Sequence, residues 1–60
     1  MNITKREREV THLLYRGMTN KQIGRLLGIS PHTVRDHISS ITNKLGVTHR
    51  IELILLLSTK

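Results

Sequence analysis

Serine, histidine and aspartate all occur in this chain, and with four histidines it holds the raw materials of a hydrolase or a metal site. Spacing argues against both. His12, His32, His37 and His49 stand 20, 5 and 12 residues apart, so no two sit at i and i+4 with a carboxylate beside them, as a zinc-protease helix requires. A catalytic triad needs a buried pocket and an oxyanion site, which 60 residues can hardly enclose. The absence of cysteine excludes a zinc finger and a disulfide scaffold. No enzyme, cofactor or metal is expected.

One polar set does keep a pattern. At 100° per residue, His32, Arg35, Asp36, Ser39 and Asn43 fall roughly within 60° of one another's centre, and Val34, Ile38, Ile41 and Leu45 gather roughly around 210°. The apolar side reads as core. The other side is rich in hydrogen-bonding groups and poor in long cationic chains, unlike a helix made to lie on an anionic membrane. Arg can pair bidentately with guanine, and Ser or Asn can serve several bases. The face therefore suits base edges, although a merely solvated polar face has the same composition.

Punctuation along the chain supplies the elements that hold this face. Thr4-Lys5-Arg6-Glu7 and Thr19-Asn20-Lys21-Gln22 are capping boxes, and Ser30-Pro31 is a cap followed by proline at the first helical position. Met18 with Ile23, and Ile29 with Val34, have hydrophobic-staple spacing. Gly17, Gly28 and Gly46 supply stops. The spacing predicts an all-α domain over 1–60, with helices at about 4–16, 19–27, 30–45 and 48–58, the last capped by Thr48. The second and third, joined by a tight turn, make a helix-turn-helix. Gly24 would let those two helices approach closely.

Charge narrows the partner. Ten Lys and Arg against four Asp and Glu give +6, and no acid lies between Glu9 and Asp36. Such a balance points to a polyanion, nucleic acid or an anionic membrane. The N-terminus has no apolar run for a secretory signal. The longest apolar run, Leu53 to Leu57, is far short of the ~20 residues that span a bilayer. A soluble, cytoplasmic protein with no membrane partner is expected.

Five segments in register carry a resemblance: 4–10 (TKREREV), 17–23 (GMTNKQI), 27–30 (LGIS), 33–37 (TVRDH) and 44–47 (KLGV). Together they resemble the DNA-binding domain of the LuxR/GerE/NarL family of bacterial transcription regulators, over nearly the whole chain. The resemblance implies four helices, the third entering the major groove of double-stranded DNA and the fourth forming a homodimer. It places base contacts at His32, Arg35, Asp36 and Ser39. It places phosphate contacts at Thr19, Asn20, Lys21, Ser30, Thr33 and Lys44. His37 matches a family histidine and is read either as packing or as a phosphate contact. Asp36 departs from the Lys or Arg frequent at its position; it repels phosphate but can accept from cytosine N4. Glu9 and Arg50 also match family positions, and either pair to tie the first helix to the fourth or are unrelated exposed charges. Arg6, Arg8, Arg16 and Arg25 read as solvated charge. RNA polymerase is a further candidate partner, and the nucleoid the implied location.

The fourth helix has two apolar sides where a monomer needs one. Leu53, Ile54 and Leu57 share one, Ile51, Leu55 and Ser58 the other. The resemblance makes the second the self-contact. Two other readings compete: a basic amphipathic module for membranes or proteins, and a sigma-factor-like promoter-reading domain, which lacks the extra helix after the recognition helix.

Overall fold

In a computed structural model, which describes residues 2–58 and side chains through Leu56, four helices follow one another: α1 Lys5–Tyr15, α2 Asn20–Leu27, α3 Pro31–Leu45 and α4 Arg50–Ser58. Both capping boxes form. Thr4 Oγ1 accepts from the Glu7 amide at 3.0 Å while Glu7 Oε1 accepts from the Thr4 amide at 2.9 Å. Thr19 and Gln22 repeat the exchange at 3.1 and 2.9 Å. Ser30 caps α3 by accepting from the Thr33 amide at 3.1 Å. The first three helices thus begin one residue after the predicted starts, because the capping residue itself keeps extended geometry.

The start of α4 differs from expectation. Thr48 is not its cap: the helix begins at Arg50, with the His49 carbonyl accepting from the Leu53 amide. Glu52 performs the capping from inside, one carboxylate oxygen accepting from the Thr48 and His49 amides at 2.9 and 3.0 Å. A carboxylate collects two amides where a hydroxyl would collect one, and it suits the positive end of the dipole. These bonds hold the Glu52 carboxyl below its ordinary pKa.

The core is one aliphatic cluster. Val10, Leu14, Ile23, Val34, Ile38, Ile41 and Leu53 are buried, one or more from each helix, and Leu13, Met18, Leu27, Ile29, Leu45, Val47 and Ile54 pack around them. The most extensive helix–helix packing is between α2 and α3, with α1 across both and α4 against α1 and α3. Gly24 sits where α2 meets the turn into α3. A Cβ built there would lie 2.5 Å from the Ile29 carbonyl oxygen and 3.3 Å from Pro31 N. The close approach demanded by the turn therefore admits only hydrogen. Gly28, at φ 73°, then turns the chain out of α2 in the left-handed conformation that glycine tolerates best.

Glu7 does more than cap. It is 4 % exposed, and its carboxylate also accepts from Ser40 Oγ at 2.7 Å and from Lys44 Nζ at 2.6 Å, both on α3. Lys44 further donates to the Asn2 carbonyl at 2.8 Å. The Lys44 ammonium, with the Thr4 amide and the Ser40 hydroxyl, lowers the Glu7 carboxyl to about 2. A buried carboxylate is tolerable here because both of its oxygens are matched. The network stitches the start of α1 to the last turns of α3.

Candidate nucleic-acid interface

α3 divides as its periodicity demands. Val34, Ile38 and Ile41 are buried, while His32, Arg35, Asp36, Ser39 and Asn43 are exposed along the other side. Arg35 is not loose on this face. Its Nη2 lies 3.2 Å from His32 Nε2 and 4.0 Å from Asp36 Oδ1. A guanidinium is donor-only, so His32 meets it through an unprotonated Nε2. The three side chains form one row with Arg35 between an acceptor and a carboxylate, and Ser39 continues the row a turn later.

Two helix starts hold the residues expected to meet phosphate. At α2 the capping box takes the Thr19 and Gln22 amides, and leaves those of Asn20 and Lys21 without an intrahelical carbonyl. At α3 the exposed Ser30 and Thr33 hydroxyls lie 3.0 Å apart. Unpaired amides and the positive dipole end make such starts suited to phosphate. Lys21 is exposed beside the first. His37 is half-buried at the margin between the two faces of α3. Lys44, expected among the phosphate contacts, has two of its three hydrogens engaged inside the protein, by Glu7 and the Asn2 carbonyl.

Of the two readings of Glu9 and Arg50, the pair does not form. Glu9 does not meet Arg50: its carboxylate lies 3.6 Å from Arg6 Nε, one turn back on the outer side of α1. Arg50 instead donates to Asn20 Oδ1 at 2.6 Å and to the Met18 carbonyl at 2.8 Å. The reason is placement. Glu9 lies on the face of α1 that turns to solvent, whereas the first residue of α4 comes to the α1–α2 turn. A backbone carbonyl leaves no trace in residue types, so this latch had no sequence signal. Glu7 had a weak one, an acid three residues before buried Val10.

On α4, Leu53 is buried and Ile54 half-buried, whereas Ile51, Leu55 and Leu56 are 70, 59 and 46 % exposed. The Ser58 and Leu57 side chains lie outside the described residues. Among the described residues, no three His, Asp or Glu side chains gather closely enough to hold a metal ion. No helix among them is long and apolar enough to cross a membrane.

Two capped helices joined by a tight glycine-containing turn, the second with an exposed polar row opposite its buried side, make a helix-turn-helix, and comparison with known proteins gives it a lineage. The model of the luxR family of bacterial regulatory proteins matches residues 1–57. The chain belongs to this family. It is therefore a helix-turn-helix DNA-binding domain of transcription regulation, from a family of regulators and not of enzymes. It is 49 % identical to the spore germination protein GerE of Bacillus subtilis over 53 residues, 88 % of the chain and 72 % of that protein. It is 47 % identical to the transcriptional regulatory protein UhpA of Escherichia coli over 51 residues, 85 % of the chain and 26 % of UhpA. The nitrate/nitrite response regulator protein NarP of Escherichia coli is 45 % identical over 49 residues, 82 % of the chain and 23 % of NarP. The chain thus spans about a quarter of the length of UhpA and NarP, and most of GerE.

Proposed function

We propose that this luxR-family domain reads double-stranded DNA by laying α3 in the major groove and binds as a homodimer on a pseudo-palindromic site. The observation that carries the reading is the exposed row of His32, Arg35, Asp36 and Ser39 on a helix whose opposite side is core. A helix of 15 residues is about 22 Å long and fits a groove about 12 Å wide. Arg35 is the candidate for guanine. Asp36 and Ser39 accept from, or share hydrogen bonds with, neighbouring bases.

Thr19, Asn20 and Lys21 at the start of α2, and Ser30 and Thr33 at the start of α3, grip phosphate. His37 adds its exposed edge and Lys44 its remaining hydrogen. Phosphate contacts set the register and base contacts the sequence.

The dimer uses the outward side of α4, with Ile51 and Leu55 at its centre and Ser58 at its end. A seam of this size is small, so association in solution is weak and DNA assists it. Half-sites one helical turn apart, about 34 Å, suit a domain 28 Å in its longest dimension. A two-fold protein then matches a two-fold site. The whole regulator works in the cytoplasm at the nucleoid, where RNA polymerase is a further partner.

Selection of bound fragments from a pool of genomic duplexes tests both parts. The expected product is a pair of inverted half-sites, and Leu55→Asp should keep one half-site while losing cooperative occupation of two. A site without symmetry would refute the dimer; a folded chain enriching no sequence would refute base readout.

A further inference from the structure

The Arg50 latch joins elements that the function reading treats separately. α4 packs on α1 and α3, and its Arg50 side chain reaches α2. Its two terminal nitrogens take different partners: Asn20 Oδ1 at 2.6 Å and the Met18 carbonyl at 2.8 Å, in a half-buried setting. Because a guanidinium only donates, the Asn20 amide is obliged to turn its oxygen inward. The Nδ2 hydrogens are left over, and among the described residues they have no partner. Asn20 is the first residue of α2, where its own amide and that of Lys21 are also left over by the capping box. Three sets of donors therefore converge on the same end of one helix, and the Arg50 bond decides the direction of one of them.

We infer that Arg50 is a positioning residue for DNA: from the first turn of α4 it fixes the Asn20 amide so that Nδ2 donates to a backbone phosphate at the start of α2. The inference rests on the DNA reading above. The self-association helix and the phosphate grip are thereby one mechanical unit. A free asparagine amide flips between presenting its oxygen, which phosphate repels, and its nitrogen, which phosphate accepts. The latch removes the wrong orientation before DNA arrives, so binding does not have to select it. The bond to the Met18 carbonyl holds the α1–α2 turn at the same time, which keeps the helix start where the amide points.

A direct Arg50–phosphate contact is the main competing explanation, and ion release separates the two. Each cation that neutralises a phosphate contributes about 0.9 to the salt slope, whereas a neutral amide contributes none. The probe is a mixed-sequence duplex of 24 base pairs, since phosphate contacts do not depend on sequence. Wild type, Arg50→Met, Asn20→Ala and the double variant are titrated over a range of salt, with circular dichroism confirming the fold of each. The expected result is an equal loss of about fivefold in all three variants, with the slope unchanged. Asn20→Asp keeps an acceptor for Arg50 and so keeps the fold, yet should bind DNA more weakly than Asn20→Ala. Should Arg50→Met prove unfolded, Arg50→Lys replaces it, whose single ammonium nitrogen lacks the rigid planar fork that sets the Asn20 amide. Additive losses, or a slope reduced by about 0.9 in the Arg50 variant, would overturn the inference in favour of direct contact. Unchanged DNA affinity with a lower melting temperature would reduce Arg50 to a structural tie and equally overturn it. A folded wild-type chain without salt-dependent affinity for the duplex would instead defeat the DNA reading itself.

Discussion

Replacing Gly24 with alanine sets two well-characterised effects against each other. In a helix interior, alanine is favoured over glycine by about 1 kcal/mol. Here the added Cβ would stand 2.5 Å from the Ile29 carbonyl oxygen, with Pro31 N and the Ser30 carbonyl carbon each at 3.3 Å. All three are main-chain atoms, so no side chain can rotate aside. To reach ordinary contact near 3.4 Å, α2 and the turn must part by about 0.9 Å. Movement of that size also disturbs the hydrogen bond from the Ile29 amide to the Gly24 carbonyl, 2.9 Å long. Overpacking against a fixed wall costs about 1–3 kcal/mol, and main-chain opposition puts this site at the upper end. The net effect expected is a loss of about 1–2 kcal/mol. A domain of this length holds only about 3–9 kcal/mol in total, so the change is large. With a urea m-value near 1 kcal/mol per molar, the midpoint should fall by about 1–2 M. DNA affinity of the folded variant should fall as well, because the angle between α2 and α3 sets where the helix starts meet the backbone. An unchanged or higher midpoint would show that the joint yields, and would refute the argument that only hydrogen fits.

Acid stability should trace Glu7. Its carboxyl is lowered from 4.5 to about 2, chiefly by the Lys44 hydrogen bond, so its contribution is present above pH 4.5 and drains as pH falls toward 2. Glu7→Gln should flatten urea midpoints across that window, leaving the smaller part due to Glu52, whose carboxyl is also lowered; the wild-type acid slope in the variant would contradict this. Lys21→Ala should reduce the salt slope of DNA binding by about 0.9. Lys44→Ala should change it less while lowering the melting temperature, because Glu7 already offsets that ammonium; equal slope changes would show Lys44 bearing fully on phosphate. Arg35→Ala should cost about 1–3 kcal/mol on the selected site and relax preference at one base pair. Uniform weakening on every duplex would make Arg35 a phosphate contact.

The elements were legible where the signal is local. Thr4 with Glu7, Thr19 with Gln22, and Ser30 with Pro31 announce helix starts within four residues, and the buried side of α3 follows from a 3.6-residue period. The exposed polar face of α3 was legible for the same reason, as the complement of that core. What escaped was long-range. Glu7 meets Ser40 and Lys44 across more than thirty residues, and a capping role had already accounted for it. Arg50 meets a main-chain oxygen and an asparagine, and neither advertises itself as the partner of a cation. Pairing opposite charges, as with Glu9, is the natural guess from sequence, yet a guanidinium is satisfied equally well by carbonyl oxygens. At α4 a cap supplied from inside the helix by Glu52 displaced the threonine that precedes it.

On α3 no side chain of the exposed row belongs to the buried cluster, and the groups that anchor the helix, Ser40 and Lys44, sit to one side of that row. His32, Arg35, Asp36, Ser39 and Asn43 can therefore be exchanged with small effect on stability, since the contacts of Arg35 with His32 and Asp36 are exposed and weak and exposed positions usually shift stability by no more than about 0.5 kcal/mol. If the row reads bases as proposed, descendants of one such scaffold can drift toward different promoters without passing through unfolded intermediates. For an engineer, the same partition makes this row a part of the domain that can be randomised without first rebuilding the core.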